Sequence, residues 1–265
     1  MSTRTLALIN VAAVAVMLAA NGLANGLPIN GLTTGDVSAY YPNLLVPAGF
    51  TFAIWGVIYS LVLGLLAYQF FGGAPAQQAV ATIGPWLAIN ALANAAWIAA
   101  WHYLQIEASV AIMLVIFASL AMIYVRLGTD KTPKASLAYL CVALPFSVYF
   151  AWISLALVLN ITALLVSLGW SGAPLTAEAW GTALLIIIAN LTAFLVLTRR
   201  DLAWGAVTLW ALLGIYSRLR HVPDVSIMTV TLWVAVGSVA VAMALRLWLN
   251  ARPTRSAQPL ASSTP

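Results

Sequence analysis

The chain is predicted to be an all-α integral membrane protein, an eight-transmembrane-helix bundle, and three observations support this. Only 6% of the residues are charged and 63% are hydrophobic, whereas a soluble domain carries about 25% charged residues. That is too little charge to cover a water-facing surface. Eight apolar stretches each approach the ~20 residues needed to cross a hydrocarbon core. Between them, the basic residues fall mainly in alternate connections, as topology determinants do.

The spans are expected near 5–24, 47–71, 83–104, 106–126, 135–162, 177–198, 202–219 and 226–249. Arg4 anchors the first. Cleavage of a signal peptide near Ala19–Ala20 is the alternative there, but seven further spans follow and a retained helix is preferred. Pro47 opens the second span and Gly72-Gly73-Ala74-Pro75 closes it, leaving 72–82 as a connection. Pro85 lies in the first turn of the third span, where its missing N–H costs little. Gln105-Ile106-Glu107 is so short that the third and fourth spans must form an antiparallel hairpin. Pro133 precedes the fifth span. Pro145, inside it, is expected to kink it and free a carbonyl. Pro174 precedes the sixth span and Pro223 separates the seventh from the eighth. The tail, 251–265, reads as polar and disordered.

With the N-terminus inside, the inner segments hold Arg4, Arg126, Lys131, Lys134, Arg199, Arg200, Arg246, Arg252 and Arg255, nine of the eleven basic residues. Arg218 and Arg220 remain outside. Both termini are therefore expected in the cytoplasm. Because the basic residues are dispersed, the net charge of +5 is no sign of nucleic-acid binding. The expected surroundings are the lipid bilayer. One cysteine, Cys141, and two histidines, His102 and His221, offer no disulfide and no metal-ligand spacing. The outer segment 25–46 is long and rich in Asn, Gly, Thr, Tyr and Pro. It is either a functional loop or a plain cap over the helix ends.

Polar and aromatic residues recur at helical spacing inside three spans. Phe52, Trp55 and Tyr59 share one face of the second. Asn90, Asn94, Trp97 and Trp101 share a face of the third, and Tyr149, Trp152, Ala156 and Asn160 a face of the fifth. An amide pointing at lipid is expensive, so these stripes should turn inward. Two accounts compete: hydrogen-bonded helix packing, or a pocket lined by indole faces. Trp86, Trp170, Trp180, Trp204 and Trp248 fit an interfacial belt, while Trp210 and Trp233 lie deeper. Gly56, Ser60 and Gly64 permit close helix approach and leave a homodimer open.

The spacing Pro47…Trp55…Tyr59 resembles the second region of the TspO/MBR family of tryptophan-rich sensory proteins, which includes the translocator protein. Asn94-Ala-Ala-Trp97 with Trp101 is similar to the family's third helix, and Tyr149-x-x-Trp152-x-Ser154-x-Ala156-x-x-Leu159-Asn160 to its last. Gly49 stands where the family has a tryptophan, and Pro145 is displaced from directly before Tyr149. The resemblance implies a TspO-like five-helix unit over 1–168, followed by a three-helix extension over 169–250 without counterpart in the five-helix pattern. Asp201-x-x-Trp204…Trp210…Gly214…Arg218 resembles the longer bacterial members, which implies a bacterial inner membrane.

The resemblance also implies a hydrophobic small-molecule ligand, tetrapyrrole- or sterol-like. It would be held by Trp55, Tyr59, Asn90, Asn94, Trp97, Trp101, Tyr149, Trp152, Ala156 and Asn160. A porphyrin is the candidate guest, with no firm cofactor. The expected role is a membrane receptor, sensor or carrier. Facilitative transport and tetrapyrrole breakdown are the alternatives. Proton coupling is disfavoured because every Asp and Glu maps to a loop or helix end. Arg218 and Arg220 could meet a ligand's carboxylates, but snorkelling or pairing with Asp224, Glu178, Glu107 or Asp36 is preferred. His102, the one candidate base near the outer mouth, is more readily a hydrogen-bonded interfacial residue.

Overall fold

A computed structural model describes residues 1–27, 29–128 and 136–251, without the Asn25 side chain. Lys131, Pro133, Lys134, Arg252, Arg255 and the tail at 252–265 lie outside the described residues. All long elements are helical: α1 Thr3–Gly26, α2 Thr34–Ala39, α3 Ile54–Phe71, α4 Gly73–Ile83, α5 Trp86–His102, α6 Ile106–Leu127, α7 Leu144–Ser167, α8 Ala177–Thr198, α9 Leu202–Leu219 and α10 Ser226–Ala251. Seven helical segments are long and apolar enough to cross a membrane, and the bent pair α4–α5 makes up to eight.

The pair corrects one expectation. Residues 73–83 form a helix, not a connection, because Ala76, Val80 and Ile83 recur at helical spacing and bury one face. The chain then bends by 60° at Gly84, whose φ of +60° suits glycine, and Pro85 starts the next helix. A second correction concerns Pro145. The chain makes a π-helical turn over Tyr139–Ala143, and Pro145 falls in the first turn of α7. The proline thus follows the π-helical turn and stands near the start of α7 instead of in its interior, and the helix runs on to Ser167.

Helices α1, α5, α6, α7 and α3 pack in that order into a closed ring. Asn10 and Gln69 join α1 to the end of α3, with Gln69 Nε2 donating to the Ala7 carbonyl at 3.2 Å. Helix α9 lies against α7, and α8 and α10 pack on α9 and on each other. The main apolar core therefore extends from the ring into α9 through Trp204, Val207 and Ala211.

At the end of the bundle carrying Arg126, Arg199 and Arg200, Asp201 is 1% exposed. Its carboxyl accepts from the Tyr124 hydroxyl on α6 at 2.8 Å and caps α9 through the Trp204 N–H at 3.2 Å. Trp204 is itself 4% exposed and stands edge-on to Phe150 with centroids 5.1 Å apart. It is thus a core residue, not part of the belt, because the start of α9 is drawn inward by its own cap. Tyr124→Phe should lower stability by about 1–3 kcal/mol by removing a donor to a buried carboxyl. Thermal unfolding of the full chain in detergent would measure this.

A candidate aromatic ligand site at the Arg218 end

The three polar stripes contribute side chains to one region. Trp55 and Tyr59 stack with centroids 5.4 Å apart, and Trp97 and Trp101 stack at 5.8 Å. Trp152 meets Trp55 edge-on at 6.4 Å and Phe52 at 6.1 Å. These rings enclose two adjoining cavities. The larger, about 330 Å³, is bounded by Asn21, Thr33, Gly49, Tyr59 and Ile98. The smaller, about 50 Å³, is bounded by Tyr41, Val46, Trp101, Trp152, Ala156 and Asn160. Thr34, Phe52, Trp55 and Trp97 line both, so these four side chains are the partition.

The amides hold the walls. Asn94 Nδ2 donates to the Tyr149 hydroxyl at 2.8 Å, and Asn21 Nδ2 donates to Asn94 Oδ1 at 2.7 Å. Trp97 Nε1 donates to Asn160 Oδ1 at 3.0 Å, and Asn160 Nδ2 to Ser109 Oγ at 2.8 Å. Asn94 and Tyr149 therefore stand behind the lining instead of in it. Trp152 differs from its neighbours. It is 3% exposed, and its Nε1–H has no acceptor among the described residues.

One member of the stripes turns elsewhere. Asn90 Nδ2 donates to the Ile116 carbonyl at 3.2 Å and to Ser119 Oγ at 3.0 Å, so it binds α5 to α6 and lines neither cavity. It lies one helical turn before Asn94, where the Ile116 carbonyl and the Ser119 hydroxyl of α6 are within reach. Sequence reasoning also missed Asn21, an amide in an apolar span at helical spacing from Met17 and Ala24, which should have marked a third inward stripe. Thr34 and Tyr41 were not singled out, since only folding brings the outer segment over the helix ends.

That segment is anchored to α5. Trp101 Nε1 donates to the Thr34 carbonyl at 3.2 Å. His102, fully buried, contacts the Ile29 carbonyl through Nδ1 at 3.3 Å and the Thr34 hydroxyl through Nε2 at 3.1 Å. A carbonyl only accepts, so the geometry assigns the proton to Nδ1 and leaves Nε2 to accept from Thr34. Both ring nitrogens are occupied by structural contacts. Within α2, Thr33 and Asp36 form a reciprocal capping box. The Thr33 hydroxyl and backbone N–H hold the Asp36 carboxyl below its ordinary range. The lowered folded value means the cap contributes fully above the ordinary carboxyl range and is lost as pH falls through the folded value. Amide exchange over 34–39, corrected for intrinsic rates, should therefore accelerate on acidification while exchange in α5 stays unchanged.

Helix α9 supports the site from behind. The Gly214 carbonyl accepts from the Ala48 N–H at 2.9 Å, and Trp210 Nε1 donates to the Thr51 carbonyl at 2.9 Å. Both contacts hold the 3₁₀ turn Gly49–Ala53, which carries Phe52 into the site. Arg218 and Arg220 form no ion pair with Asp224, Glu178, Glu107 or Asp36 among the described residues. Instead, Arg220 Nε meets His221 Nε2 at 3.0 Å and Glu178 accepts from the Met228 N–H at 3.1 Å. No group of three or more candidate metal ligands occurs among the described residues.

A family model described as TSPO-like protein matches residues 7–245. The match runs through α8, α9 and α10, the part left without a counterpart by the five-helix resemblance. No curated protein and no solved structure gives a match.

Proposed function

The chain belongs to the TSPO-like protein family, and from that premise we propose that it binds a flat, largely apolar ligand between the stacked ring pairs of α3 and α5. It is a multi-pass membrane protein, and we place both termini in the cytoplasm from the distribution of its basic residues. The role we infer is that of a receptor, sensor or carrier, with tetrapyrroles and sterols as the ligand classes the family suggests.

The observation that carries this is Trp152. A buried indole N–H without an acceptor costs about 1–3 kcal/mol, and such a group is retained where something else satisfies it. Its neighbours Trp97 and Asn160 are already paired, so the Trp152 N–H stands as the unpaired donor of the buried wall, beside the Ser38 and Tyr41 hydroxyls that also line the smaller cavity. The matching guest is flat, apolar over most of its area and carries an acceptor on one edge. The larger cavity, about 330 Å³, is already within the size range of small-molecule sites. Phe52 is one of the four side chains that part it from the smaller cavity, which Trp152 lines.

Titration of the purified full chain with protoporphyrin IX, followed by tryptophan quenching, tests this. Saturable quenching is expected. Trp152→Phe keeps an aromatic ring and removes the donor, so affinity should fall about tenfold. Linear, non-saturating quenching would defeat the proposal, and so would equal affinity in Trp152→Phe and Phe52→Trp.

A further inference from the structure

A separate cavity of about 490 Å³ opens at the Arg218 end between α7, α8 and α9. Its size is typical of a small-molecule site. Its walls come mainly from the C-terminal part of the chain, and it shares only Asn43 with the aromatic site. Trp170 and Trp180 meet edge-on with centroids 5.3 Å apart. Apart from Ser171, the polar side chains around them are consumed internally. Trp180 Nε1 donates to the Gly172 carbonyl at 2.7 Å. Asn43 donates to the Tyr41 carbonyl and accepts from the Leu45 N–H, each at 3.1 Å. The Thr162 hydroxyl returns to the Val158 carbonyl at 2.8 Å. Gly172 holds the turn in a form other residues would strain, with φ +94° and an added Cβ only 3.1 Å from the Leu175 carbonyl. The cavity thus presents aliphatic and indole surface.

Arg218 is the exception. It is the one charged residue lining the cavity, and no hydrogen bond or ion pair to its guanidinium forms among the described residues. Of the outer acids, Glu178 and Asp36 are engaged with Met228 and Thr33, and neither Asp224 nor Glu107 pairs with Arg218 among the described residues. An apolar chamber at the level of the helix ends, rimmed by one unpaired guanidinium, is complementary to one class of molecule. We propose that it binds an amphiphile whose hydrocarbon body lies against Trp170, Trp180 and Leu184 and whose anionic carboxylate or phosphate pairs with Arg218. A guanidinium pairs with either group through two parallel hydrogen bonds.

The two sources of that chemistry, a bilayer phospholipid and a free fatty acid, can be separated with the full chain in nanodiscs. Three diazirine probes are compared: phosphatidylglycerol, palmitate and the neutral hexadecanol, with crosslinks mapped by mass spectrometry. Labelling of 162–184 and 218–222 should favour the anionic probes over hexadecanol by about tenfold. Arg218→Gln, an exposed change, should abolish that preference. Leu184→Trp should fill the chamber and suppress labelling by all three. Preference for phosphatidylglycerol alone identifies a lipid, preference for palmitate alone a free acid, and either supports the proposal. Equal labelling by hexadecanol, an anionic preference that survives Arg218→Gln, or labelling unaffected by a folded Leu184→Trp would overturn it.

Discussion

Gly214→Ala is expected to destabilise the protein and weaken ligand binding together. A Cβ built at Gly214 collides with the Thr51 hydroxyl and falls 2.9 Å from Thr51 Cβ and Cγ2. Thr51 is fully buried, and because its Cβ is itself too close, turning the side chain to another rotamer does not relieve the clash. The helix and the 3₁₀ turn must separate. That strains the Ala48-to-Gly214 and Trp210-to-Thr51 hydrogen bonds, both 2.9 Å. Overpacking of this kind costs about 1–3 kcal/mol. Because Phe52 follows Thr51 directly, the displacement reaches the aromatic site, and protoporphyrin affinity should drop in parallel with the melting temperature. Thr51→Ala removes the nearest clashing atom and should restore part of both losses when combined with Gly214→Ala. Gly214→Ala with unchanged stability and unchanged binding would show that α9 does not position the turn.

Asn94→Ala should be the most damaging change among the stripe residues. A hydrogen bond between membrane helices contributes only about 0.6 kcal/mol on average, because alternative partners are usually at hand. Here Asn94 is fully buried, with both of its partners on other helices. Truncation breaks both the Asn21 and the Tyr149 contacts. Asn21 keeps its bond to the Met17 carbonyl at 2.9 Å, so losing the two contacts, one of which leaves the Tyr149 hydroxyl without its donor, costs about 1–3 kcal/mol. Tyr149→Phe removes only the second contact and should cost about half as much. The double variant should cost less than the sum, since both changes act on one hydrogen-bond chain. Thermal unfolding of the four proteins closes this cycle. Strict additivity would mean that Asn94 and Tyr149 are not coupled.

Much of the site was legible before folding was considered. Trp55, Tyr59, Trp97, Trp101, Trp152, Ala156 and Asn160 border the two cavities, while Asn94 and Tyr149 stand one layer behind. Their three- and four-residue spacing determines an angle about each helix axis, and the cost of exposing an amide to lipid determines that the angle points inward. Asn90 shares that spacing and still faces α6. A stripe is wide enough to touch two neighbours, and spacing alone cannot say which neighbour offers an acceptor.

Composition and periodicity, then, determined the membrane class, the apolar segments, the alternation of charge and the inward direction of the polar faces, because each depends on a residue and its near neighbours along one helix. The tertiary structure decided the closed order α1, α5, α6, α7, α3, the unpaired Trp152 donor, the hold of α9 on the turn before α3 and the chamber beneath Arg218. Those depend on contacts between residues as far apart as Thr51 and Trp210. Such contacts are set by which helix surfaces fit together, and no local pattern encodes that fit.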